Sequence, residues 1–99
     1  PGTGRHLDTG RAKGQGYTIN FPMPMGAGLP EFATAFQQLL IPVLTQFEPD
    51  LFLISTGFDS YRQDPLGGLN LETDHYRALT EQVRYLAQDL CSDRVVTVL

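Results

Sequence analysis

Cysteine is almost absent from this 99-residue chain, which has Cys91 alone. A single thiol cannot form an intrachain disulfide, and a cysteine-based zinc site needs several thiols, so neither framework is available. Long apolar runs are missing too, because no stretch approaches the roughly 20 residues of a membrane helix. Nothing resembles a signal peptide. These absences predict an intracellular, cytoplasmic protein with no membrane partner.

Basic residues are the second scarcity. Seven Lys and Arg stand against eleven Asp and Glu, which gives a net charge of −4. A protein that binds the phosphate backbone needs a basic face, so this balance argues against a direct nucleic-acid partner. The hydrophobic fraction of 41% is ordinary for a globular protein, and 99 residues allow one domain at most.

The order of glycine-rich and apolar segments predicts an α/β fold. Residues 1–16 hold five of the ten glycines and predict a loop. The patterns that follow predict a strand at 17–21, a helix at 31–47 kinked at Pro42, and a strand at 51–54 with apolar residues on both faces. An irregular segment at 57–72 comes next, then a helix capped by Thr73, and a buried strand at 94–99. The helix after Thr73 carries an apolar stripe at three- and four-residue spacing, formed by Tyr76, Leu79, Val83, Leu86 and Leu90. Alternating strands and helices are typical of a parallel sheet covered by helices.

Asp59 is the first candidate site residue, because it closely follows the most apolar strand. Ligands of parallel sheets bind beyond the carboxyl ends of the strands. A carboxylate there can ligate a divalent metal or orient a histidine, but it can also cap a turn. Asp64, which precedes Pro65, indicates a turn. His6 and His75 have no second ligand at metal-binding spacing, and His75 is predicted to face solvent.

Two other kinds of site find no support in the sequence. Gly14 and Gly16 lack the third glycine of a dinucleotide-binding loop, and they precede a predicted strand rather than a helix. The serines Ser55, Ser60 and Ser92 all lie outside any Gly-x-Ser-x-Gly elbow. A phosphate-binding loop and a serine hydrolase site are therefore not predicted.

Several segments, in the same order, resemble the histone deacetylase family. Residues 55–71 resemble the segment Ser-Ala-Gly-Phe-Asp-Ala-His-x-x-Asp-Pro-Leu-Gly-Gly of class II-type histone deacetylases and of their acetoin-utilisation and acetylpolyamine deacetylase relatives. Residues 1–4 are similar to the family's Tyr-Pro-Gly-Thr-Gly loop, and residues 14–20 to its Gly-x-Gly-Tyr-x-x-Asn strand entry. Residues 47–51 are similar to its Phe-x-Pro-Asp segment, and residues 94–96 to the strand before Glu-Gly-Gly-Tyr.

The resemblance implies a fold and an activity. The family fold is a three-layer α/β/α sandwich with a mostly parallel sheet, shared with arginases. Residues 1–99 would be a fragment of one such domain, lacking its N-terminal part and its extreme C-terminal part. The parent chain would be a zinc-dependent deacetylase that hydrolyses an acetylated amine, an acetyl-lysine or an acetylpolyamine, to the free amine and acetate.

The resemblance also implies site residues. The family's zinc is held by two aspartates and one histidine, and the aspartate of its Gly-Phe-Asp motif is here Asp59. Tyr17 matches a position whose main chain contributes to a monovalent cation site, for which K⁺ is the expected ion. The residues expected to contact substrate, at the floor near the metal and along the acyl channel, are Gly57, Phe58, Pro65 and Leu66.

Other parts of the family's machinery are expected outside the segment. The Asp-x-His ligand pair and the His-His acid/base pair are expected upstream of Pro1, and the catalytic Tyr beyond Leu99. Tyr61 stands where the family often has His, and Thr56 replaces Ala. With one of three metal ligands and no general base, the 99 residues alone are predicted neither to retain zinc nor to catalyse. The alternative is a parent with an inactive deacetylase-like domain that serves as a binding or scaffold module.

Overall fold

Two parallel strands form the sheet of this computed structural model, which describes residues 3–99. The first strand, β1, spans Phe52–Ser55, and the second, β2, spans Val95–Val98. The strands predicted at 51–54 and 94–99 are confirmed to within one residue at each end. Parallel neighbours need a long crossover connection, and here it contains a helix.

That helix, α3, spans Thr73–Cys91. Glu72 is extended (φ −100°, ψ 165°) and forms the cap, so the prediction that Thr73 caps the helix is wrong: Thr73 is the first helical residue. His75 lies half-buried, and its Nδ1 accepts a hydrogen bond from the Glu72 N–H at 3.1 Å, so its predicted solvent-facing position is also wrong. Within residues 3–99, neither α3 nor any other helix is long and apolar enough to cross a membrane.

The core lies between β1 and α3. Phe52, Ala87 and Cys91 are 8%, 0% and 2% exposed and contact one another. Burial of a side chain the size of Phe52 contributes about 1.5–3 kcal/mol to folding. The apolar stripe predicted for α3 is confirmed, because it supplies most of the partly buried residues around this cluster. These are Leu44, Val83, Leu86, Leu90 and Val95.

The opposite face of the sheet is exposed within residues 3–99. Successive side chains of a strand point to opposite faces, so Leu53 points away from the helices that cover Phe52. Leu53, Val96 and Val98 are 74%, 47% and 56% exposed. Residues 52–54 are apolar on both faces, as predicted, but the helices of this segment cover one face only. The prediction that β2 is buried is therefore wrong for this segment.

The predicted helix at 31–47 is a longer helical run with a π-helical segment in its middle. The N–H of Ile41 bonds to the carbonyl five residues earlier. Pro42 has no N–H, and its ring crowds the preceding turn, which a locally wider helix accommodates. At the predicted kink at Pro42, the structure has a π-helical segment just before this residue. The run comprises α1 (Leu29–Ala35), the π segment (Phe36–Leu40) and α2 (Ile41–Phe47).

The strand predicted at 17–21 is wrong. Among residues 3–99 the sheet has β1 and β2 only, and residues 17–21 pair with neither. Asn20 instead ties this segment to the N-terminal loop, because its amide donates to the carbonyls of Arg5 at 3.2 Å and Asp8 at 2.8 Å. Aromatic and β-branched residues favour a strand, but a ladder also needs a neighbour.

The segment 57–72 is irregular, as predicted, but it closes on itself. The N–H of Arg62 donates to the Leu71 carbonyl at 2.9 Å, and the N–H of Leu71 donates to the Ser60 carbonyl at 3.1 Å. Leu71 is 1% exposed. These contacts make residues 57–72 a compact loop, called here the site loop, with its two ends side by side.

Gly67 packs directly against the backbone of the other arm of the site loop. A Cβ at Gly67 would lie 1.5 Å from the carbonyl oxygen of Asp59 and 3.4 Å from Oδ1 of Asp64. Because the first of these atoms belongs to the backbone, no side-chain rotation can relieve the overlap. Glycine at position 67 therefore keeps the two arms together.

We expect Gly67→Ala to destabilise the protein by about 1–3 kcal/mol, the usual cost of forcing extra atoms into a packed site. Gly14→Ala is the matched control, since a Cβ at Gly14 meets nothing within 4 Å, and we expect it to stay within about 0.5 kcal/mol of wild type. Urea unfolding of both variants measures the difference. Equal stabilities would contradict the close packing of the site loop.

Candidate functional site

Asp59 lies just beyond the carboxyl end of β1, in the site loop. Pairing of the two strands continues to Thr56, whose N–H donates to the Val98 carbonyl at 3.0 Å. Gly57 and Phe58 then carry the chain past the edge of the sheet, and Asp59 is exposed there. This is the edge at which parallel sheets bind their ligands.

The carboxylate of Asp59 folds back over Gly57. A Cβ at Gly57 would lie 2.9 Å from Oδ1 of Asp59, closer than real Cβ contacts allow. A side chain at position 57 would therefore push the carboxylate away. The absence of a side chain at Gly57 leaves that oxygen room beside the backbone.

Tyr76 of α3 contacts the residues on both sides of Asp59. Its hydroxyl donates to the Phe58 carbonyl at 3.3 Å and is 2.8 Å from the Ser60 hydroxyl. Its ring meets the Phe58 ring edge-on, with centroids 5.3 Å apart and planes at 70°. Sequence reasoning assigned Tyr76 to the apolar stripe and missed this role. The available signal was that a partly buried Tyr usually finds a hydrogen-bond partner.

Asp64 stabilises a turn, as its sequence context predicts. Its Oδ1 accepts the N–H of Leu66 at 2.9 Å and the N–H of Gly67 at 2.8 Å. Both bonds run to the backbone two and three residues ahead, as in other Asx turns. This carboxylate is thus occupied in shaping the site loop, whereas that of Asp59 is presented to solvent.

An apolar groove of about 790 Å³ runs between the helices and the sheet, next to the site loop. Of the residues predicted to bind substrate, Gly57 and Phe58 line the groove, whereas Pro65 and Leu66 do not. Leu66 is 93% exposed. The structure thus brings two of these four residues to the groove and leaves the other two on the outer surface of the site loop.

The residues whose side chains can ligate a metal are scattered over the segment. Within residues 3–99, no three His, Cys, Asp or Glu side chains converge on one point. His6 is exposed on the N-terminal loop, and His75 accepts the hydrogen bond from Glu72. Zinc takes three or four protein ligands, and an exposed aspartate suits one of those positions. The predicted zinc site at Asp59 stays a prediction, and it would need further ligands from outside the described residues.

Tyr17 lies apart from the contacts made by the site loop. Its ring packs edge-on against Phe47, with centroids 6.4 Å apart, and 76% of the residue is exposed. Its N–H donates to the Gly14 carbonyl at 3.1 Å. The predicted contribution of its main chain to a cation site stays a prediction.

Comparison with known proteins relates the whole chain to a single family. The sequence model for the histone deacetylase domain matches residues 1–99. The chain is 38% identical to histone deacetylase 14, chloroplastic, of Arabidopsis thaliana over 99 residues. That match covers 100% of this chain and 23% of the relative, so the segment spans about a quarter of the relative's length.

Solved structures show the same relationship. The chain superimposes on the HDA15 HD domain with a TM-score of 0.88 at 35% identity, covering 100% of this chain and 27% of that one. It superimposes on acetylpolyamine aminohydrolase from Burkholderia pseudomallei with a TM-score of 0.80 at 30% identity, covering 98% and 27%. The predicted fold is thereby confirmed as part of an α/β deacetylase domain with a parallel sheet. The chain belongs to the histone deacetylase family.

Proposed function

We propose that the chain is part of a zinc-dependent deacetylase that hydrolyses an acetylated amine, an acetyl-lysine or an acetylpolyamine, to the free amine and acetate. The observation that carries this proposal is the position of Asp59, exposed beyond β1 at the ligand-binding edge of the sheet. The relatives support the substrate class, because they include a polyamine deacetylase and an acetylpolyamine aminohydrolase.

Asp59 is the proposed zinc ligand of this segment. Its carboxylate is exposed, it lies in a loop closed by backbone hydrogen bonds, and Gly57 leaves room beside its Oδ1. The second aspartate and the histidine of the ligand set would come from the rest of the parent chain. When bound, zinc supplies Lewis-acid polarisation of the amide carbonyl and activation of water.

The remaining parts of the proposed site are apolar walls and a cation site. Phe58 exposes 58% of its surface and Leu66 exposes 93%, so both can contact an acyl-amine chain. Gly57 and Pro65 flank them in sequence and complete the proposed substrate contacts. Tyr17 is proposed to contribute its main-chain carbonyl to a K⁺ site.

The sequence encoded on either side of this segment distinguishes an active deacetylase from an inactive deacetylase-like scaffold. If an Asp-x-His and a His-His pair lie upstream and Glu-Gly-Gly-Tyr follows Leu99, they would supply the other ligands, the acid/base pair and the tyrosine, and would support the enzymatic proposal. An open frame in which those residues are replaced leaves Asp59 without partners and contradicts the enzymatic proposal.

In the parent chain we expect Asp59→Asn to abolish retention of zinc and the release of acetate, because the amide loses the charge of the ligand. The loss should exceed the roughly 10–100-fold cost of removing an outer partner of a metal ligand. Asp89→Asn, the same change at an exposed position of α3, should leave both quantities unchanged. Metal analysis and an acetate-release assay measure the pair. Normal zinc content in Asp59→Asn would overturn the ligand assignment.

The isolated 99-residue segment is expected to retain no stoichiometric zinc and to release no acetate. A single carboxylate cannot replace the three or four ligands of a zinc site. Elemental analysis of the segment after dialysis measures this directly. One zinc per chain would mean that the ligand set lies within the segment.

A further inference from the structure

The hydroxyl of Tyr76 bridges the two residues that flank Asp59. The Ser60 hydroxyl is 2.8 Å from the Tyr76 hydroxyl, which in turn donates to the Phe58 carbonyl at 3.3 Å. One hydrogen-bond chain satisfies all three groups, with Ser60 donating to Tyr76 and Tyr76 donating to Phe58. The Phe58 carbonyl belongs to the peptide unit that leads into Asp59. The hydroxyl therefore restrains the backbone on one side of Asp59 and a side chain on the other.

The helix that carries Tyr76 is anchored in the core. Tyr76 lies in the N-terminal part of α3, and the same helix buries Ala87 and Cys91 against Phe52 of β1. The Tyr76 ring adds an edge-on contact with the Phe58 ring. The site loop is thus held against an element whose own position is set by hydrophobic burial, rather than by the loop.

We propose that Tyr76 is a positioning residue for Asp59, and this inference rests on the proposed zinc-ligand role of Asp59. Metal ligands depend on outer partners that fix their orientation. Asp64 is not such a partner for Asp59, because its carboxylate accepts the backbone N–H groups of its own turn. Contacts to the residues on either side of Asp59 can set its orientation instead. Tyr76 makes these contacts from outside the site loop.

The ring of Tyr76 makes a packing contact and its hydroxyl makes hydrogen bonds, and the two can be tested separately. The ring lies in the apolar stripe and packs against Phe58, so a phenylalanine at position 76 would keep that packing. The two hydrogen bonds depend on the hydroxyl alone. Removal of one oxygen atom therefore tests positioning while leaving the hydrophobic contact in place.

The test compares the full parent chain with its Tyr76→Phe variant. We expect the zinc dissociation constant, measured by competition with a chelator, to rise about 10–100-fold. We expect kcat to fall with little change in KM, and the visible absorption spectrum of the Co²⁺-substituted protein to shift. Tyr85→Phe is the matched control, because Tyr85 lies on the same helix and is 65% exposed; it should bind zinc as wild type does.

A double-variant cycle isolates the hydrogen-bond chain. Ser60→Ala should weaken zinc binding less than Tyr76→Phe, because the bond from Tyr76 to Phe58 remains. Adding Ser60→Ala to Tyr76→Phe should then have little further effect, since both substitutions break the same chain. Full additivity of the two effects would contradict a shared chain.

The remaining outcomes separate this inference from the proposed function. A wild-type parent chain without zinc and without acetate release overturns both. A wild-type chain that binds zinc, with an equal dissociation constant in Tyr76→Phe, overturns the positioning role and leaves the proposed function intact. A lower thermal midpoint in Tyr76→Phe, with unchanged zinc affinity below that midpoint, shows a purely structural role and also overturns the inference.

Discussion

Burial of Phe52 against Ala87 and Cys91 is the contact on which the rest of the structure depends. It fixes α3 across the sheet, so that the crossover between β1 and β2 has one orientation. The site loop leaves the sheet at the end of β1 and rejoins the fold at the start of α3. Both ends of the site loop belong to this packed unit. Hydrophobic packing outside the loop therefore holds Asp59 at the edge of the sheet.

The site loop shows which local interactions hold a candidate ligand in place. The ion pair between Arg62 and Glu72 is short, at 2.7 Å, but both side chains are nearly half exposed. Pairs of this kind contribute about 0–1 kcal/mol and weaken with salt. Backbone bonds to the buried Leu71 and the close approach of Gly67 to Asp59 do not depend on ionic strength. They are the firmer part of the loop's structure.

The sequence predicted those elements whose cause is local. The apolar run before Ser55, the stripe of α3 and the turn at Asp64 each follow from residues near one another in the chain. The strand predicted at 17–21 failed because a ladder needs a neighbouring strand, which composition cannot show. The exposure of β2 and the hydroxyl contacts of Tyr76 escaped prediction for a similar reason. Both depend on which segments meet in space, and periodicity gives no information about single hydrogen bonds.

We propose that Asp59 binds a catalytic zinc within a complete deacetylase domain. X-ray diffraction from crystals of the parent chain, with anomalous data at the zinc absorption edge, tests it most directly. We expect a zinc ion about 2.0–2.2 Å from a carboxylate oxygen of Asp59, with the other ligands contributed from outside this segment. A zinc ion bound elsewhere, or an ordered domain whose Asp59 points away from the metal, would contradict it.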